Sequence, residues 1–108
     1  MAAGFGDMQS LLKQAQDMQR RMQETQAALG QQVLEGTAGG GVVKARVTGN
    51  LELQSIQIDP SAVDPSDVES LEDLVTVAVQ KALAAAKELK EQETAKITGG
   101  MNLPGLGF

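Results

Sequence analysis

The sequence predicts an α+β protein of the order α-β-β-β-α, in which two long helices flank a three-stranded antiparallel sheet within one domain, residues 1–108. Two observations carry this prediction. Near both ends of the chain, apolar residues recur at helical spacing, whereas between these segments they alternate with polar residues as in strands. Because short turns join the strand-like segments, we expect an antiparallel meander.

The first helix is predicted over residues 7–29, with Asp7 as its N-cap and Gly30 as its stop. Alternating steps of three and four residues are typical of a helix–helix seam. Seven residues follow this spacing, only one of them polar: Met8, Leu11, Ala15, Met18, Met22, Thr25 and Leu29. Lys13 and Arg20 lie on the opposite stripe. The seam packs either on the chain's own sheet or against another helix, and its spacing alone leaves both interpretations open.

The middle of the chain alternates between apolar and polar residues in a way that indicates β-structure. Three strands are predicted, over residues 31–37, 42–49 and 51–59. The first turn is the glycine-rich stretch AGGG, and the second is Gly49-Asn50, because both of these residues tolerate a positive φ. In the third strand the alternation slips at Gln54-Ser55, which predicts a β-bulge.

The second helix is predicted over residues 67–96, where Ser66 to Glu69 match a capping box. Residues 74–86 are apolar nearly all round, which favours burial on more than one side. The remainder, residues 97–108, is rich in glycine, and we expect it to be a flexible tail.

Helix length predicts the assembly. At 1.5 Å per residue the two helices are about 34 and 45 Å long, whereas a compact domain of this size is roughly 35 Å across. One three-stranded sheet cannot cover both helices. We therefore expect a homodimer with projecting helical arms, in which the seam of the first helix and residues 74–86 contact the second subunit.

Composition excludes several classes of function. The chain has no cysteine, histidine or tyrosine, so we find no candidate nucleophile–base pair and expect no enzyme and no catalytic residue. No metal-ligand spacing or phosphate loop is present, so neither a metal, a cofactor nor a small-molecule substrate is expected. No apolar run is long enough to span a membrane, and the first residues do not resemble a secretory signal. A cytoplasmic protein is therefore expected.

The charges are unevenly distributed along a chain of net charge −5. Acidic residues concentrate before and within the start of the second helix, in residues 59–73, whereas the lysines of that helix lie further along, in residues 81–96. Lys13, Arg20 and Arg21 could contact phosphates, or they could form surface ion pairs at a spacing of four residues: Lys13–Asp17, Asp17–Arg21 and Arg20–Glu24. Spacing alone favours the surface ion pairs.

The chain resembles the YbaB/EbfC family of bacterial nucleoid-associated DNA-binding proteins along nearly its whole length. The stretches that carry the resemblance are KQAQDMQRRMQ, GGGVVKARVTGN, IQIDPS, LEDLVTVAVQKAL and TGGMNLPGL. No single stretch is diagnostic, but their order and spacing together are specific.

The resemblance implies a tweezer-like homodimer that binds double-stranded DNA through its projecting helices. It further implies a cytoplasmic, nucleoid-associated protein that influences gene expression and nucleoid organisation. Transferred to this chain by position, the DNA-binding residues are Lys13, Arg20, Arg21, Lys87, Lys90 and Lys96. The only aromatic residues are Phe5 and Phe108, which argues against base stacking and so favours duplex over single-stranded DNA. The alternative is a helical-arm adaptor that binds a protein partner through its methionine-rich helix.

Overall fold

The structure, a computed structural model, describes the backbone of residues 3–100 and the side chains of residues 7–98. It confirms the predicted order of a helix, three antiparallel strands and a second helix. Short 3-10 turns, Gly39–Gly41 and Pro60–Ala62, follow the first and third strands. The helices and strands are α1 Ala3–Gln31, β1 Val33–Ala38, β2 Val43–Thr48, β3 Leu53–Ile58 and α2 Val68–Gly100.

Helix α1 is longer at both ends than the sequence predicted. It begins at Ala3, so Asp7 lies inside the helix and is not its N-cap. A helix that has formed propagates at little cost where no proline blocks it. At the other end the helix continues through Gly30 to Gln31. It ends where Gly49 of the β2–β3 turn donates its N–H to the carbonyl of Leu29, at 2.9 Å.

Helix α2 begins and ends differently from the prediction. Its N-cap is Asp67 rather than Ser66, because the Asp67 carboxylate accepts hydrogen bonds from the backbone N–H and the hydroxyl of Ser70. The helix continues to Gly100, so the predicted tail is wrong for residues 97–100. The buried side chain of Ile97 anchors this last part. The rest of the predicted tail, residues 101–108, lies outside the described residues.

The sheet has the order β1-β2-β3, and both strand pairs are antiparallel. The predicted bulge is confirmed in β3. Arg46 is opposite Ser55 whereas Val47 is opposite Leu53, so Gln54 is the extra residue. The bulge brings Leu53 onto the same face as the later apolar residues of β3, which is the face that β2 buries.

The turn between β2 and β3 differs from the predicted Gly49-Asn50 turn. The residue with a positive φ is Leu51, at 67°. Leu51 donates its N–H to the carbonyl of Thr48, and Thr48 donates to the carbonyl of Glu52, so the loop is one residue longer than predicted. Gly49 is required for another reason, because a Cβ there would lie 2.7 Å from the carbonyl oxygen of Leu29.

The core lies between α2 and the first two strands. Ala78 and Ala82 of α2 are fully buried, as are Val43, Ala45 and Val47 of β2. The helix approaches the sheet closely at Gly36 of β1, where an added Cβ would overlap the backbone of Ala78 and Ala82. Small residues on both sides therefore bring the helix backbone against the strand.

This packing accounts for one side of residues 74–86 within the single chain. That side includes Ala78 and Ala82, which face the chain's own sheet and are therefore not available to a second subunit. A subunit contact through the other sides of the segment stays a prediction. Uncovered apolar surface also lies on β3, where Leu53 is 53% exposed and Ile56 and Ile58 are each 39% exposed. These three side chains share the face of the sheet that α2 covers over β1 and β2.

The molecule is elongated because both helices extend beyond the sheet. Its radius of gyration is 21.2 Å and its longest dimension is 79 Å, whereas a compact chain of this length has a radius of gyration near 13 Å. Of the α1 seam, Leu29 is buried and Met18 and Met22 are half-buried, but Met8 and Leu11 are exposed. The seam is therefore used within the chain only near the sheet.

Candidate nucleic-acid interface

The cations of α1 lie on the side of the helix that faces away from its packing surface. Lys13 and Arg20 are exposed. At 100° per residue they lie roughly opposite the buried Leu29, and Arg21 lies on the flank between the two sides. Lys13 and Arg20 are about 10 Å apart along the helix axis. These cations are therefore exposed to solvent, and their contact with DNA stays a prediction.

The ion pairs on α1 differ in part from those that the spacing suggested. Arg20 pairs with Glu24 at 3.3 Å and with Asp17 at 3.8 Å, and its side chain is 60% exposed. Because Asp17 turns to Arg20, the expected pairs of Asp17 with Lys13 and Arg21 are not formed. Among the side chains that the structure describes, neither Lys13 nor Arg21 has a carboxylate within 4 Å. Exposed pairs of this kind are weak, so a phosphate can displace Glu24 at little cost.

The three α2 lysines that were assigned to DNA binding lie C-terminal to Ala86, the last fully buried residue of the helix over the sheet. Lys96 is exposed and pairs with Glu93 at 3.0 Å. Lys87 and Lys90 line an open groove along α2, together with Leu51 of the β2–β3 turn. The walls of this groove are mainly apolar, so the aliphatic stems of the two lysines contribute to them. No feature of the sequence indicated that Leu51 would reach this helix.

The α1 and α2 cations form two separate groups. In the part of the chain whose side chains are described, no hydrogen bond or ion pair joins one group to the other. Both arms leave the sheet at the end that carries the β2–β3 turn, because Gly49 contacts the last turn of α1 and Leu51 faces α2 across a groove. The two groups therefore project in the same general direction.

A second basic pair lies on the outer face of the sheet, away from α2. Arg46 pairs across the strands with Glu35 at 3.2 Å. Lys44 is half-buried and is opposite Thr37 on one side and Gln57 on the other. Because Lys44 is half-buried and both cations lie on the sheet rather than on the projecting helices, this face is a weaker candidate for phosphate contact than the arms.

The end of the molecule opposite the arms is acidic. Its negative charges come from the segment after β3 and from the first turns of α2: Asp59, Asp64, Asp67, Glu69, Glu72 and Asp73. A hydrogen bond from the Ser61 backbone N–H lowers the pKa of Asp59. Hydrogen bonds from the Ser70 hydroxyl and backbone likewise lower the pKa of Asp67. Asp59 and Asp67 therefore stay charged at neutral pH, and the cluster of acidic residues repels phosphates from this end.

Within residues 7–98, no group of three or more acidic or other metal-ligating side chains is placed to hold a metal ion. Neither of the two helices, as far as the structure describes them, is long and apolar enough to span a membrane.

Comparison with known proteins agrees with this arrangement. The model of the YbaB/EbfC DNA-binding family matches residues 4–101. The chain is 48% identical to a nucleoid-associated protein of Alkaliphilus metalliredigens over 95% of its own length and 90% of the relative's. It is 52% identical to a nucleoid-associated protein of Thermoanaerobacter pseudethanolicus over 95% and 92%. The fold is similar to a crystal structure of an uncharacterized protein from Helicobacter pylori. That match has a TM-score of 0.73 at 22% identity and covers 88% of this chain and 97% of the other.

The fold, the charged arms and these matches together define a DNA-binding protein of the bacterial nucleoid. The chain belongs to the YbaB/EbfC DNA-binding family. The predicted family is thereby confirmed, and a cytoplasmic, nucleoid-associated localisation follows from it. This is a family of DNA-binding proteins and not a class of enzymes.

Proposed function

We propose that the protein binds duplex DNA as a homodimer, through the outer sides of its projecting helices, and acts by binding alone. By covering and bending DNA it organises the nucleoid and influences gene expression. The observation that carries the proposal is the separation of charge along the long axis of the molecule. Exposed cations lie on two arms that leave the sheet at one end, and six carboxylates cluster at the other.

The uncovered face of β3 supports the homodimer. Leu53, Ile56 and Ile58 form a continuous apolar strip beside α2. Val77 of α2 is also 39% exposed. Burying such a strip against the same strip of a second copy removes apolar surface from water, at about 25 cal/mol per Å². A two-fold interface of this kind is self-complementary, and it places two pairs of arms around one cleft.

The charges on the arms support DNA as the ligand. Arg20 and its neighbours on α1 face outward, and Lys96 on α2 is exposed. The only aromatic residues of the sequence, Phe5 and Phe108, offer little stacking surface. Contacts to phosphates therefore dominate, which favours duplex over single-stranded DNA and affinity over base specificity.

The salt dependence of binding tests this proposal. Each phosphate contact releases about 0.9 counterion, so the slope of log affinity against log salt counts the contacts. We expect that replacing Arg20 and Arg21 together by alanine flattens this slope by roughly 2–4 in a dimer and weakens binding to all sequences alike. Fluorescence anisotropy with a labelled duplex at several salt concentrations measures both quantities.

The matched control removes the same charge from the sheet. Lys44→Ala combined with Arg46→Ala should leave the slope unchanged, because these two cations lie on the sheet and not on the arms. If the sheet variant flattens the slope and the α1 variant does not, the DNA site lies on the sheet and the proposed use of the arms is wrong. If the wild-type protein binds no duplex even at low salt, the adaptor alternative replaces the proposal.

A further inference from the structure

The β2–β3 turn, residues 48–51, connects the two arms at the point where they leave the sheet. On the α1 side, the N–H of Gly49 lies 2.9 Å from the carbonyl oxygen of Leu29 and 3.0 Å from that of Gln32. The Leu29 carbonyl belongs to the last turn of α1 and also accepts from the N–H of Gln32 at 3.1 Å, and Gln32 is the first residue after the helix. The turn therefore caps the helix from outside and fixes the position of its last residues.

Asn50 extends this contact one turn further along α1. Its side-chain Nδ2 donates to the backbone carbonyl of Gln26 at 2.8 Å. Its own backbone N–H donates to the hydroxyl oxygen of Thr48 at 3.2 Å, which holds the residue in the turn. The cap at Leu29 fixes the end of α1, and the packing of α1 on α2 limits how far the helix can pivot about that end. A second hydrogen bond three residues earlier constrains the direction of the helix axis as well.

Leu51 lies on the side of the turn that faces α2. Its φ of 67° is a backbone conformation that residues other than glycine rarely adopt. Its side chain lines an open groove along α2 that Leu83 and Lys87 also line. The turn thus lies between the arms, with Gly49 and Asn50 bonded to α1 and Leu51 facing α2 across the groove.

We propose that Asn50 is a positioning residue: through its hydrogen bond to the Gln26 carbonyl, the β2–β3 turn sets the direction of the α1 arm relative to α2, and thereby the DNA affinity, without touching DNA. This inference rests on the proposed function. When only a fraction of the free protein holds its arms in the binding geometry, the apparent dissociation constant rises by the inverse of that fraction. The bound complex is unchanged, so the number of phosphate contacts and the salt slope stay the same.

Two substitutions at Asn50 test the proposal. Asn50→Ala removes the side chain, and Asn50→Asp keeps its shape but replaces the donor by a charged acceptor that repels the Gln26 carbonyl. We expect the apparent dissociation constant for duplex DNA to rise about threefold for each α1 arm, and so about tenfold for a dimer with two such arms. The salt slope should stay unchanged. Gln26→Ala is the matched control, because the hydrogen bond uses the backbone oxygen of residue 26 and should survive.

The direction of the arm can be measured on the protein alone. The chain contains no cysteine, so Gln16→Cys on α1 and Gln92→Cys on α2 provide unique sites for spin labels. Labelled protein diluted with an excess of unlabelled protein reports only the distance within one chain. We expect the distance distribution to broaden in both Asn50 variants and to stay narrow in Gln26→Ala.

The outcomes separate the inference from the proposed function. Unchanged distances and unchanged affinity in a folded Asn50 variant overturn the inference. Weaker binding with a flatter salt slope also overturns it, because Asn50 would then contact a phosphate itself. If the wild-type protein binds no duplex, the proposed function fails and the effect on affinity fails with it. Broadened distances would still show that Asn50 directs the arm.

Discussion

Strands β2 and β3 present apolar residues to the same face of the sheet, yet only β2 is covered. Val43, Ala45 and Val47 are completely buried, whereas their neighbours across the ladder on β3 are 39–53% exposed. The two strands have similar apolar content, so the difference lies in what packs on them. Helix α2 lies over β1 and β2, and in a single chain nothing comparable covers β3.

The position of α2 has a local cause. Gly36 on β1 and the alanines of α2 let the helix backbone come close to the first two strands. A helix held this closely over β1 and β2 cannot also cover β3, since strands are about 4.8 Å apart and a helix with side chains is about 10 Å wide. The comparison teaches that small residues here decide which half of the sheet forms the core and which half is left for a partner.

A substitution in the covered half of the sheet, β1 and β2, should have the largest effect on stability. In Gly36→Ala the new methyl group overlaps the backbone of Ala78 and Ala82, which cannot rotate away as a side chain could. We expect a loss of about 3 kcal/mol or more in the free energy of unfolding, enough to unfold a marginal domain. Urea unfolding followed by circular dichroism at one protein concentration measures it.

Gly40→Ala is the control for the Gly36 substitution. Gly40 has a φ of 74°, but a Cβ there has no atom within 4 Å, so the alanine meets backbone strain without overlap. We expect a cost of about 1 kcal/mol. Equal effects of the two substitutions would show that close packing at Gly36 is not what places α2.

A substitution on the uncovered strand, β3, should prevent dimer formation and leave the chain folded. Ile56→Glu places a charge in the apolar strip of β3, whose burial against a second subunit would then cost several kcal/mol. We expect a monomer by light scattering, with unchanged helix content by circular dichroism. Gln57→Glu adds the same charge to the opposite face of the same strand and should remain dimeric. A dimeric Ile56→Glu protein would exclude β3 from the interface.

These two halves also show what could be predicted from sequence. The order of the elements and the bulge at Gln54 follow from periodicities that lie within single segments. The apolar character of residues 74–86 was equally evident, but not which side meets the chain's own sheet. That side depends on Gly36, a residue on a distant segment whose importance appears only once strand and helix are in contact.

The candidate DNA-binding site could likewise be predicted from sequence only in part. The outward position of Lys13 and Arg20 was predictable because helical periodicity alone places them opposite the seam. The pairing of Asp17 with Arg20 was not, since three competing cations lie within reach of it along the helix. Leu51 lines the same groove as Lys87, and it is the residue of the β2–β3 turn that has a positive φ. The sequence predicted a positive φ at Gly49 and Asn50 instead, so the position of Leu51 was not predictable.

The smallest predicted effect concerns the first turn of α2, the helix that covers one half of the sheet. Asp67→Ala removes the N-cap, and at neutral pH we expect the melting temperature to fall by about 4 °C. The hydrogen bonds from Ser70 lower the pKa of Asp67 from its ordinary value of 3.8 in the folded state. Its stabilising contribution is therefore present above pH 3.8 and is lost as the pH falls through the lowered pKa.

The difference between wild type and Asp67→Ala should accordingly shrink in melting curves recorded from pH 7 down to pH 2. Ser70→Ala provides the matched test, because it keeps the carboxylate but removes the hydroxyl that contributes most to the shift. In that background, removing Asp67 should have an effect that depends less on pH. A difference of equal size at pH 7 and pH 2 would mean that the cap acts through geometry alone, since a protonated carboxyl would then stabilise the helix as well as a charged one.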